Sequence, residues 1–158
     1  MPRSPVLDIP QEEAAEFIER YLNRFPKVQD FIRDTVTFAT DEGYVSTLFG
    51  RIRRIPELRA RSRQTRSLGE RLAISTVVQG TAADIIKVAM VRCRDALAAS
   101  GLDARLVLQI HDELLFEAPE DQAEEAARVV AGEMAGAFEL EPPLAVESGI
   151  GPNWLDAK

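Results

Sequence analysis

The chain has 158 residues, 46% of them hydrophobic and 28% charged, and a formal net charge of −7. That is the size of one ordinary domain and the composition of a globular rather than a disordered chain. Cys93 is the only cysteine and His111 the only histidine. This excludes an internal disulfide and a four-ligand cysteine/histidine zinc site, and any Ser-His-Asp triad would have to use His111.

The N-terminus, Met1-Pro2-Arg3-Ser4-Pro5, lacks the apolar stretch of a secretory signal. No apolar run approaches the roughly 18–20 residues of a membrane span. A reducing, cytoplasmic compartment is the expectation.

Asp8 followed by Pro10 reads as a helix start, with Ala14, Phe17, Ile18, Tyr21 and Leu22 at helical spacing and Pro26 as the stop. A second helix places Val28, Phe31, Ile32, Val36 and Ala39 on one face and ends at Gly43. Residues 44–48 read as a strand. An irregular arginine-rich segment interrupted by Pro56 follows. Residues 69–99 contain no proline and keep a helical period, which predicts one helix of about 30 residues with Gly80 inside it. Residues 104–110 and 114–118 read as two buried strands, residues 121–138 as an amphipathic helix and residues 144–150 as a strand, with Trp154 packing the tail. The order suggests an α+β fold: a small antiparallel sheet, a long helix and several packed helices.

Charge is unevenly spread. Residues 51–71 carry eight arginines (Arg51, Arg53, Arg54, Arg59, Arg61, Arg63, Arg66 and Arg71) against Glu57 and Glu70, a net +6 that leaves −13 on the rest of the chain. Every one of these cations is arginine, whose planar donor fork suits phosphate. A phosphate-backbone footprint and a solvated basic loop both fit this run.

His111-Asp112-Glu113 stands between the two apolar strands. Short hairpins usually turn on Asn-Gly or Asp-Gly, and local structure offers no reason for three ionisable residues. Carboxylates projected from a rigid hairpin suit a metal or acid–base site, since Mg²⁺ is held by one or two carboxylates plus substrate phosphates. A solvated loop is the plainer alternative. In the long helix, Arg71, Ser75 and Gln79 are four apart and lie along one face. Arginine and glutamine can read the N3 and O2 acceptors that every base pair shows in the minor groove; an ordinary polar helix face reads the same.

Taken together, Gly43-Tyr44-Val45-Ser46-Thr47-Leu48-Phe49-Gly50-Arg51, Glu70-Arg71, Gln79-Gly80-Thr81-Ala82-Ala83-Asp84-Ile85-Ile86-Lys87, Gln109-Ile110-His111-Asp112-Glu113-Leu114 and Gly149-Ile150-Gly151-Pro152-Asn153-Trp154 resemble the C-terminal part of the polymerase domain of family A DNA polymerases. The resemblance covers residues 8–158, with residues 1–7 as an unmatched tail. It implies an incomplete palm/fingers segment of a DNA-directed DNA polymerase, a nucleotidyltransferase that joins a primer 3′-hydroxyl to the α-phosphate of a deoxynucleoside triphosphate on a primer–template. It implies Asp112 as a catalytic carboxylate and Mg²⁺ ligand, with Glu113 as a supporting acid. His111 steadies the primer terminus; Arg71, Ser75 and Gln79 face the minor groove; Arg51, Arg53 and Arg54 meet the backbone. Two Mg²⁺ ions act in the complete enzyme.

Departures accompany the match. The family's Asp-Tyr-Ser motif and its Arg-x-x-x-Lys-x-x-x-Phe-x-x-x-Tyr nucleotide helix do not occur in these 158 residues. Ser75 stands where the family usually has Asn, Val77 where it usually has Pro, and Ile52 interrupts a basic triplet. The chain alone is therefore expected to lack polymerase activity and a complete Mg²⁺ site. Exposed apolar surface is expected to favour self-association. A non-catalytic DNA-binding module derived from this fold is the alternative, and a metal-dependent phosphoesterase ranks last.

Overall fold

The structure is a computed structural model that describes residues 10–157, so the expected start at Asp8 lies outside the described residues. The chain divides into two compact units, residues 1–77 and 78–158.

In the first unit, α1 (Gln11–Arg24) follows Pro10 and α2 begins at Pro26 itself (Pro26–Glu42). Pro26 thus ends one helix and opens the next, because its missing N–H costs nothing in a first turn. Gly43 caps α2 with φ 80, the left-handed conformation that suits glycine. The chain then enters a ribbon, β1 (Tyr44–Ser46) paired antiparallel with β2 (Ile52–Arg54), with Val45 opposite Arg53. The arginine segment is therefore not irregular throughout. Its first part is a strand, closed by Thr47 and Arg51 across the loop 48–50: the Thr47 N–H donates to the Arg51 carbonyl at 3.0 Å, and the Arg51 N–H donates to Thr47 Oγ1 at 3.2 Å. A 3-10 turn, Pro56–Arg59, leads to the long helix α3 (Arg63–Ala99).

α3 has 37 residues and starts six residues earlier than its apolar period suggested. Ser62 explains the difference: its Oγ accepts from the Thr65 N–H and its carbonyl from the Arg66 N–H, which satisfies first-turn donors. α3 also carries an 18-residue window of mean hydropathy 1.3, so by length and composition it could cross a membrane. Gln79, Asp84 and Lys87 punctuate the helix, and no unbroken apolar run shows in the sequence.

The core of this unit is Ala39, Val45, Ile55, Leu58 and Ala73, with Leu72 and Val77 packed against it. Gly69 makes it possible, because an added Cβ would lie 2.9 Å from the Leu58 nitrogen and 3.0 Å from its Cγ. Gly69→Ala is expected to destabilise by up to about 2 kcal/mol. Overpacking costs about 1–3 kcal/mol and alanine returns about 1 kcal/mol of helix propensity. A urea titration checks this; raised stability would refute the close approach. No residue of α1 is buried: Phe17 is 62% exposed and Ile18 58%.

In the second unit, β3 (Arg105–Ile110) and β4 (Glu113–Glu117) form a second antiparallel ribbon, with Ile110 opposite Glu113 and a register shift between Leu106 and Leu108. The expected single small sheet is thus two separate two-stranded ribbons. Ala89, Cys93 and Leu97 are buried one turn apart on α3. The Cys93 thiol donates to the Val130 carbonyl, and Arg92 donates to the Gly136 carbonyl. Burial, followed by the nearby Glu133 carboxylate, pushes the Cys93 thiol up.

Two expectations fail here. The helix α4 spans only Ala123–Ala135, because residues Glu120–Gln122 form a 3-10 turn and Gln122 Oε1 accepts from the Asp103 N–H at 2.8 Å. Residues 144–150 form no strand. The segment has no partner edge among the described residues, and an unpaired strand leaves its ladder groups unsatisfied. Its end folds back instead: Gly149 and Gly151 lie against the main chain of Ala157 and Asp156, where a side chain would collide. Trp154 is 43% exposed.

Candidate functional site

The residues singled out in the sequence fall on three supports. Arg51, Arg53 and Arg54 lie on the β1–β2 hairpin, and all three are exposed. Arg71 and Ser75 lie on α3 in the same unit, Arg71 exposed and Ser75 half-buried. The two supports are tied together, because Arg53 Nη1 donates to Thr76 Oγ1 at 3.1 Å, one residue beyond Ser75. The Arg59 guanidinium lies beside Gly43, where an added Cβ would come within 3.0 Å of it. All eight arginines of residues 51–71 are exposed. Exposed cations of this kind attract anionic partners.

The second unit holds Gln79, exposed on α3, and the acidic turn. His111 and Asp112 are the two turn residues, and Glu113 opens β4 opposite Ile110. All three are exposed. Among the described residues His111 is the one non-glycine with positive φ, at 53. In a two-residue hairpin the first turn position favours glycine. A side chain there costs about 1–3 kcal/mol, and such outliers concentrate at functional sites. The expectation that local structure offers no reason for these residues is corrected in part, since histidine enters the positive-φ region more readily than most residues. Gln109, given no role in the sequence, donates from Nε2 to the His111 carbonyl at 2.9 Å.

Comparison with known proteins gives this geometry a context. The sequence profile of DNA polymerase family A matches residues 4–156. The thermostable DNA polymerase I of Thermus aquaticus is 50% identical over 155 residues, 98% of this chain and 18% of that protein. DNA polymerase I of Deinococcus radiodurans is 49% identical over 152 residues, 96% of this chain and 16% of that protein. Among solved structures, the polymerase domain of Pol1 from M. smegmatis, in complex with DNA primer-template and dNTP, aligns with a TM-score of 0.90 at 45% identity. That alignment covers 96% of this chain and 27% of the other.

The fold is thus that of a polymerase-domain segment, made of helices, one of them long, and short antiparallel ribbons. The chain belongs to DNA polymerase family A. It spans less than a fifth of the length of the two curated relatives named above.

Mg²⁺ is the metal that the family implies. Among the described residues no three His, Cys, Asp or Glu side chains are grouped to hold a metal ion. Asp112, in the turn, and Glu113, the first residue of β4, are sequence neighbours and supply two carboxylates between them.

Proposed function

We propose that this chain is the C-terminal palm and fingers segment of a DNA-directed DNA polymerase. In the complete enzyme it serves templated transfer of a nucleotide to a primer 3′-hydroxyl. The observation that carries the reading is Asp112. It is an exposed carboxylate at the tip of a two-residue turn whose backbone is held in an unfavourable conformation, within a segment that aligns along 96% of its length with a polymerase domain solved with primer-template and dNTP. Rigid presentation of an ionised group is what electrostatic catalysis requires. Primer–template DNA and deoxynucleoside triphosphates are the partners in this reading, and the cytoplasm is the compartment.

Roles follow by position. Arg71, Ser75 and Gln79 face the minor groove, where contacts to N3 and O2 test base-pair shape without reading sequence. Ser75 is shorter than the residue it replaces, so Arg71 and Gln79 carry more of that contact. Arg51, Arg53 and Arg54 meet phosphates, Glu113 supports Asp112, and His111 steadies the primer end.

The test is a graft. Residues 4–156 replace the matching segment of the Thermus aquaticus enzyme, and templated primer extension is measured. Extension well above a truncated control supports the reading; a folded but inactive graft refutes it. The 158-residue chain alone is expected to give none.

The exposed arginines and the absence of a three-acid cluster among the described residues also suit a non-catalytic DNA-binding module. Binding of the isolated chain to a duplex separates the contributions. Arg53→Ala should reduce the slope of log K against log salt by about one unit. Gln79→Ala should weaken binding with the slope unchanged. Fluorescence anisotropy across a salt series reads both. Equal slopes in wild type and Arg53→Ala would remove Arg53 from the backbone contact.

A further inference from the structure

Gln109 enters none of the roles above, yet its side chain has a specific partner. Nε2 donates to the main-chain carbonyl of His111 at 2.9 Å. Its cross-strand partner, Leu114, has no polar side-chain atom to offer. The carbonyl that it holds belongs to the one described non-glycine residue with positive φ.

These two observations concern the same peptide plane. The plane that carries the His111 carbonyl also carries the Asp112 N–H, because the peptide unit is rigid. Holding that oxygen therefore holds the plane from which Asp112 is hung. On the far side, pairing of Glu113 with Ile110 pins the chain. Relaxation of His111 to an ordinary negative φ would rotate the plane and carry the Asp112 side chain with it.

We propose that Gln109 is a positioning residue: its amide staples the His111 carbonyl, keeps the turn in its left-handed conformation and so fixes the direction of the Asp112 carboxylate. The proposal rests on the reading of Asp112 as the carboxylate of polymerisation. What the position requires is a donor of sufficient reach, not the glutamine itself. Leucine keeps the bulk without a donor, whereas lysine supplies one.

The test has a structural arm and a kinetic arm. In the 158-residue chain, NMR reads the His111 HN–Hα coupling, which reports φ, and hydrogen exchange of the Glu113 amide. Gln109→Leu should shift the coupling and speed exchange about two- to ten-fold, the range that one lost hydrogen bond supplies. Gln109→Lys should resemble wild type in both. In the graft, Gln109→Leu should lower kcat by a similar two- to ten-fold with KM for the nucleotide unchanged, and Gln109→Lys should restore it.

An unchanged coupling and exchange rate in Gln109→Leu overturns the staple. A loosened turn with unchanged kcat overturns the positioning role while the polymerase reading stands. A graft that is inactive with Gln109 intact sinks the polymerase reading and the proposal with it, whatever the coupling shows.

Discussion

Asp112→Asn is expected to lower primer extension by the grafted enzyme at least about a hundred-fold, the scale that groups aimed at a reacting centre typically supply. The substitution keeps shape and removes only charge. Asp112 is exposed in the turn between β3 and β4, so neither the ribbon nor a core depends on it. DNA affinity and melting temperature should stay near those of the parent. The loss should appear equally in kcat and kcat/KM, the pattern of an interaction made only in the transition state. Glu113→Gln is the natural comparison and should cost less. Glu113 sits in the ladder opposite Ile110, one residue beyond the turn whose backbone is strained. Steady-state incorporation on a defined primer–template measures both. Extension within a few-fold of the parent in Asp112→Asn would remove this residue from the chemistry.

Ile55→Ala is expected to cost about 2–5 kcal/mol, the range for truncating a fully buried isoleucine. The site gives little room to compensate. Two of the five core residues of the first unit are already alanines, and Ile55 and Val45 are the large side chains there that are fully buried. Ile55 also stands at a joint, because its N–H donates to the Gly43 carbonyl as the chain leaves β2 for the 3-10 turn. Ile52, three residues earlier and 61% exposed, is the control. Ile52→Ala should stay within about 0.5 kcal/mol. Urea denaturation of the 158-residue chain, followed by circular dichroism, should show a lower midpoint for Ile55→Ala at an unchanged slope. If the two variants lose the same stability, Ile55 does not anchor this core.

Legibility in the sequence followed the physics of each element. The helix α2 could be read to its last residue because its apolar face keeps period and Gly43 supplies the left-handed cap. The first edge of the acidic turn, Ile110, could be read because an apolar strand meets polar residues there; the second falls one residue earlier than expected, because Glu113 is polar yet already paired with Ile110 in β4. β2 could not: its residues Ile52, Arg53 and Arg54 are all exposed, so no alternation of buried and exposed positions marks it. The early start of α3 depended on one side-chain cap, Ser62, rather than on periodicity. Residues 144–150 alternate as a strand should, but pairing requires a neighbouring edge, which the segment's own letters do not contain. The carboxylates of the turn were visible from their setting. The role of Gln109 was not, since it rests on one hydrogen bond to a carbonyl whose direction no sequence pattern reports.

Both ribbons are closed by their own loops, of three residues between Thr47 and Arg51 and of two between Ile110 and Glu113. Each of these two ribbons therefore joins stretches of chain that emerge from the ribosome within a second or two of each other, at about 5–20 residues per second. Hairpins form in about 1–10 μs. Strand pairing in this segment should accordingly be complete while synthesis is still under way, with no wait for distant sequence to arrive. The slower step of maturation is then expected to be the packing of helix faces, to which α1 contributes no buried residue.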